Sequence, residues 1–360
     1  MSLRLKLGRV AVVTRAGEWW GHKLASILCG FLLTLALLGE GVAPHWLALL
    51  TVLGSLVPGA AYVSIVNDVT DIAADAAAAK PNRMADRTSL QRAGAISLSL
   101  AGGLVFVWIW RHQEVLLACY GAAWLSFTLY SVPPIRLKCR GLAGVVADGA
   151  GAQLFPTLTA VLAAYAAAGV APDPLWLCAM SAWALAYGLR GNLSHQLRDR
   201  DADLRARSNT FAARRSRAAT ERVTAMAVFP IEAAGLAVVL ALLGWILPIV
   251  ALGLYAVLAA RRARRWSVRP ALTAGRPLDQ IVMHEYYDVF LPVALLAGTA
   301  ARHPPDWIIA TLLIVLFRAR FLQSLADARR LIALPAVREG RRFAGKLARL
   351  LGMRHRPRSR

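Results

Sequence analysis

Charge is scarce in this 360-residue chain, and acidic charge is the scarcer kind. Only 17% of residues are charged and Asp and Glu together number 20, whereas soluble domains average about 25% charged residues. That poverty excludes an ordinary soluble enzyme and a disordered chain alike. Cysteine is nearly absent too. Cys29, Cys119, Cys139 and Cys178 share no motif spacing, so neither a disulfide scaffold nor a cysteine-ligated zinc site is indicated. Alternating strand-like segments of about ten residues are missing as well, which argues against a transmembrane barrel. What abounds is apolar: 58% of residues are hydrophobic and the mean hydropathy is +0.50. Lys and Arg number 42, for a net charge of +22. A chain both very apolar and very basic reads as an integral membrane protein with its charge in the loops, or else as a nucleic-acid binder with an apolar core.

A membrane helix needs about 20 mostly apolar residues. Candidate spans are 24–40, 46–66, 94–111, 114–130, 146–169, 174–192, 223–243, 245–261, 288–301 and 306–322. The ninth is short, so nine or ten are expected. The basic N-terminus lacks a small-residue cleavage site after its apolar run, and 24–40 is read as a retained first span. With the N-terminus inside, 39 of the 42 Lys and Arg fall on the cytoplasmic side, and only Arg111 and Arg302 lie on the other. This positive-inside pattern puts both termini on the cytoplasmic side, and the cytoplasmic (inner) membrane is the expected location. Nucleic acid is not a partner, because the basic residues are split among six loops. The chain divides into a membrane domain, 1–322, and a basic tail, 323–360. Leu322, Leu325, Leu331, Leu334, Phe343, Leu347 and Leu351 in and beside that tail suit a helix lying on anionic lipid.

The rare acidic residues carry the chemistry. After the second span the chain reads Asn67-Asp68-Val69-Thr70-Asp71-Ile72-Ala73-Ala74-Asp75, with carboxylates at offsets that share one helical face. Like charges so stacked repel unless a cation intervenes, and Mg²⁺ bridges one or two carboxylates to phosphate oxygens. Four spans later, on the same membrane side, Gln196, Asp199 and Asp203 repeat the spacing. Cations accompany both: Lys80 and Arg83 follow the first stack, Arg198, Arg205 and Arg207 flank the second, and Arg136 and Lys138 follow the helix-breaking Pro133-Pro134. A magnesium-diphosphate site beside apolar spans implies an isoprenyl diphosphate.

In these motifs the chain resembles the UbiA superfamily of intramembrane prenyltransferases. The shared pattern is Asn67-Asp68-x-x-Asp71-x-x-x-Asp75, Lys80-Pro81-x-Arg83, the Tyr130 to Gly141 turn, and Asp199-x-x-x-Asp203. The resemblance implies an all-α bundle of about nine spans around a central cavity, capped by cytoplasmic loops. It implies Mg²⁺-dependent loss of diphosphate and prenylation of an aromatic or other lipophilic acceptor. Asn67, Asp68, Asp71 and Asp75 would hold one magnesium, and Asp199 and Asp203 the other. Lys80, Arg83, Arg136 and Lys138, with Arg198 beside them, would contact diphosphate, and Tyr130 would stand near the reacting carbon. Asp71, Asp199 and Tyr130 are the expected catalytic residues. Gln196 departs from the family's usual Asp; its amide offers the metal an oxygen without charge. Asp148, Gln153, Arg190, Asn192, Glu232 and His284 to Asp288 are further polar residues that could meet an acceptor. Cyclisation of the tail, phosphoribosyl transfer to a polyprenyl phosphate, and ion-coupled transport are the alternatives.

Overall fold

The computed structural model describes residues 14–20, 23–205, 208–276 and 278–331. Helices dominate: α1 (Leu24–Leu38), α2 (Trp46–Ala77), α3 (Ser89–Ile109), α4 (Glu114–Ser131), α5 (Leu142–Ala168), α6 (Pro174–Arg205), α7 (Arg217–Leu243), α8 (Ile246–Trp266), α9 (Leu291–Arg302), α10 (Asp306–Leu316) and α11 (Arg318–Leu331). Two three-residue strands, Arg269–Ala271 and Asp279–Ile281, pair in parallel inside the α8–α9 connection. Among the described residues five helices, α2, α3, α5, α7 and α8, are long and apolar enough by themselves to cross a membrane.

Local sequence explains the boundaries. Thr88 and Gln91 form a reciprocal capping box at the start of α3. Gly39, Gly169 and Gly244 adopt left-handed φ angles of 75°, 68° and 67° where α1, α5 and α7 end. Three π-helical turns, Ala150–Leu154, Thr224–Val228 and Tyr286–Phe290, each run into a proline two residues on: Pro156, Pro230 and Pro292. A proline has no N–H for the carbonyl four residues back and its ring crowds that carbonyl. The ladder therefore widens locally instead of breaking.

Packing at the centre is backbone on backbone. A Cβ on Gly188 would lie 2.6 Å from the Gly149 carbonyl oxygen, so α5 and α6 touch there through glycines. Gly235 brings α7 equally close to Trp183 of α6. Beside this contact Arg190 and Glu232, both 0% exposed, form a two-pronged pair, with Nη2 2.6 Å from Oε1. Arg190 also donates to the carbonyls of Leu272 and Val282, and Tyr287 donates to Glu232 at 2.9 Å. The mid-span carboxylate is thus a structural tie that fastens the α8–α9 connection to the bundle.

The sequence offers 306–322 as one apolar span, and the structure breaks it in two. α10 stops at Leu316 after 11 residues, and α11 leaves it at 86°. The turn falls where the apolar run gives way to Arg318 and Arg320. The pair still joins opposite ends of the bundle. Asp306 accepts the N–H groups of Val42 and Ala43 in the α1–α2 connection at 2.8 and 2.7 Å. Asp327 of α11 pairs at 3.0 Å with Arg262 at the far end of α8, where Glu285 and Ser324 join the network. The first residues of the expected basic tail, 323–331, belong to α11; residues 332–360, including Leu334, Phe343, Leu347 and Leu351, lie outside the described residues.

Candidate active site

The end of α2, the α4–α5 turn and the end of α6 meet on one face of the bundle. Gly141 bridges Thr210, and its N–H donates to the Asn209 carbonyl at 3.2 Å, joining the second and third of these segments. Asn82 folds the α2–α3 loop back on its helix: Nδ2 donates to the Asp68 carbonyl at 2.7 Å and to Asp75 Oδ2 at 2.8 Å.

Each carboxylate of the first motif has its own partner. Asp68 is fully buried; Arg15 donates to its Oδ1, and Arg83 Nη1 stands 3.7 Å from Oδ2. Asp71 takes Arg136 at 2.7 Å on one oxygen and Lys138 at 2.6 Å on the other. Lys138 also donates to Asn67 Oδ1 at 2.9 Å. The aim of this turn comes from its backbone. The two prolines end α4, Arg136 adopts a left-handed φ of 40°, and a 3₁₀ turn over Leu137–Cys139 brings Lys138 inward. Burial lowers the Lys138 ammonium from its ordinary range, and the Asp71 charge opposes that shift.

In the second motif, Lys80 reaches from the first loop to Asp199 at 3.2 Å, linking the two acidic ends. His195, largely exposed, lies 3.7 Å from the same oxygen. Asp203 accepts Thr210 at 3.0 Å, and burial raises its carboxyl above the usual range. Tyr130 lies within electrostatic reach of Asp148, Asp71 and Asp203, next to Asn192. Arg198 is exposed and makes no ion pair with the acidic residues among those described. Gln196 is turned to other neighbours, since its Nε2 donates to Asn192 at 2.7 Å and its Oε1 accepts the Ala212 N–H at 3.1 Å. It stitches the α6–α7 loop to α6 with both ends of its amide. Arg200 holds the same loop through the Ala212 and Arg215 carbonyls.

The cation that the stacked carboxylates require is therefore supplied by the chain itself. Among the described residues no group of three His, Cys, Asp or Glu side chains is arranged to hold a metal alone. The donor set fits Mg²⁺ in another way. Its atoms are hard oxygens, and Asp68 Oδ2 is buried with no hydrogen bond. An ion of this kind usually takes one or two carboxylates and completes its shell with water and phosphate. Arg15 and Asn82 are participants that motif reading missed. Arg15 looks like one more topogenic charge, and Asn82 like one more loop residue.

A model of the UbiA prenyltransferase family matches residues 25–276, well over half of the chain. Two solved structures of a UbiA homolog from Archaeoglobus fulgidus are similar, one bound to GPP and Mg²⁺ and the other to DMAPP and Mg²⁺. Each is 14% identical with a TM-score of 0.46; they cover 86% and 90% of this chain, and 98% and 99% of their own. No curated protein matches the chain.

Proposed function

The chain belongs to the UbiA prenyltransferase family, and from that premise we propose that it transfers a prenyl group from an isoprenyl diphosphate to a lipophilic acceptor within the membrane, releasing diphosphate. The observation that carries this reading is the clamp on Asp71, whose two oxygens hold Arg136 and Lys138, together with the Lys80 link to Asp199. Cations and carboxylates in mutual contact are poised to exchange partners. As a diphosphate arrives, Arg136, Lys138, Lys80 and Arg83 turn from carboxylate to phosphate oxygens, which Arg and Lys bind well. Arg15 stands on Asp68 in the same position to exchange. The carboxylates so released, Asp68, Asp71 and Asp75 with Asn67, would hold one Mg²⁺, and Asp199 and Asp203 a second. Gln196 is not included, since its amide is already engaged. Bound Mg²⁺ supplies charge neutralisation of the leaving diphosphate. Tyr130 borders the carboxylates on the bundle side and shields the allylic carbon from water.

We infer ten crossings, the last made by the bent α10–α11 pair, with both termini and the site on the cytoplasmic face. The support is the pair's anchorage at Val42 and Ala43 on one side and at Arg262 on the other. Membranes containing the protein, given farnesyl or geranylgeranyl diphosphate and Mg²⁺, should release diphosphate, and a chelator should stop them. Mass spectrometry of the extracted lipids then identifies the prenylated acceptor. Release that persists in chelator would overturn the magnesium assignment, and no release with any isoprenyl diphosphate would overturn the donor class.

A further inference from the structure

Ahead of α1 the chain is fastened in a way that no motif marks. Arg15, which donates to Asp68, has a left-handed φ of 54°, a conformation that an L-residue keeps only where its neighbours hold it. Here they hold it from both sides. Towards the N-terminus, the Trp19 indole N–H donates to the Thr14 carbonyl at 2.7 Å, and Trp19 is itself buried. Towards the C-terminus, after the helical turn Ala16–Trp19, the Trp20 indole N–H donates to the Leu316 carbonyl at 3.3 Å. The Trp20 ring also lies 6.0 Å, centroid to centroid, from that of Phe317. The two indoles are 5.9 Å apart, so each fastening braces the other.

Leu316 is the last residue of α10, and Phe317 stands at the bend into α11. In a continuous helix the Leu316 carbonyl would take the N–H of residue 320. A helix that stops leaves its final carbonyls without internal donors. The bend therefore offers a free acceptor beside an aromatic ring, and Trp20 uses both. One helical turn separates Trp20 from Arg15, so the seat of the indole sets the point from which the guanidinium reaches. An arginine that is to leave Asp68 for a phosphate oxygen needs a mobile side chain on a fixed backbone. Fixing that backbone beforehand spares the ordering cost at the moment of binding.

We propose that Trp20 is a positioning residue for the diphosphate: docked on the α10–α11 bend, it holds the backbone from which Arg15 reaches the site. The choice of ligand rests on the prenyl-transfer reading; the docking does not. The bend thereby acquires a role in the site, although neither Leu316 nor Phe317 touches an acidic motif. A tryptophan that only anchors the chain at the lipid surface would change the amount of inserted protein and leave its affinity for the donor as it was.

The test has two arms on the full chain. In membranes given farnesyl diphosphate and Mg²⁺, Trp20→Ala should raise KM about fivefold and leave kcat within about twofold. Combined with Arg15→Ala it should raise KM no further than Arg15→Ala alone, because both changes act through one contact. Phe317→Ala approaches the same docking from the other side and should raise KM about threefold, adding nothing to Trp20→Ala. The second arm needs no turnover. Gly17 is exposed and has open space about it, so Gly17→Cys in a cysteine-free chain can carry a nitroxide. Its spectrum in phosphatidylcholine nanodiscs should sharpen when Trp20→Ala is added. KM unchanged in both Trp20→Ala and Phe317→Ala, or a nitroxide no freer in Trp20→Ala, overturns the proposal. If the unmutated chain turns over no isoprenyl diphosphate, the prenyl-transfer reading falls and diphosphate falls with it as the ligand. The nitroxide still decides whether Trp20 holds the segment, so the two failures are told apart.

Discussion

Asp71 carries a hydrogen-bonded cation on each oxygen. Asp71→Asn keeps the size and removes the charge, so Arg136 and Lys138 lose their shared counter-ion and the proposed metal loses a ligand. We expect diphosphate release to fall by about a hundredfold or more, with the protein still folded by gel filtration; unchanged release would remove Asp71 from the mechanism. Arg15→Ala tests the contact that motif reading missed. It should weaken donor binding, seen as a rise in KM of about tenfold, the scale of one charge-assisted hydrogen bond. The buried pair is judged by stability instead. Glu232→Leu leaves Arg190 charged and unpaired inside the bundle, which costs about 3–5 kcal/mol, and thermal unfolding in detergent should show a large drop in Tm. Adding Arg190→Met should recover much of that loss, although the Leu272 and Val282 carbonyls lose their donor.

At the scale of the element, the loops gathered over the site depend on side chains that do no chemistry. Gln196 separates two readings of the second motif. Restoring the family's usual acid with Gln196→Asp would supply a metal ligand if the side chain faced the metal. In this fold it loses the donor to Asn192 and shortens the reach to the Ala212 N–H. The expected result is lower stability with no tighter Mg²⁺ dependence; a clear gain in apparent Mg²⁺ affinity would show that the residue faces the site. Motif spacing marked the two acidic helix ends because offsets of three, four and seven place residues on one helical face. It could not say which cation meets which carboxylate, since Lys80–Asp199 and Arg15–Asp68 join residues far apart in sequence. The π-helical turns were equally hidden as such, though their prolines stand in plain view.

For the molecule as a whole, the tenth crossing is the open topological claim. In a chain freed of its four cysteines, Arg302→Cys and Arg329→Cys should react with a membrane-impermeant thiol reagent from opposite faces, because Asp306 and Asp327 are anchored at opposite ends of the bundle. Labelling from the same face would reduce the count to nine. Hydropathy marks apolar stretches and charge bias gives them an expected orientation, because transfer into lipid and the positive-inside rule act on composition alone. The sequence by itself therefore determined an apolar helical membrane protein and its family, and it marked the residues that are proposed to meet diphosphate. Tertiary structure decided the rest: that Glu232 is bound to Arg190, that the Gln196 amide is bonded to Asn192 and Ala212, and that the tenth helix bends at Phe317. These are matters of which distant side chain stands opposite which, and only the packed chain settles them.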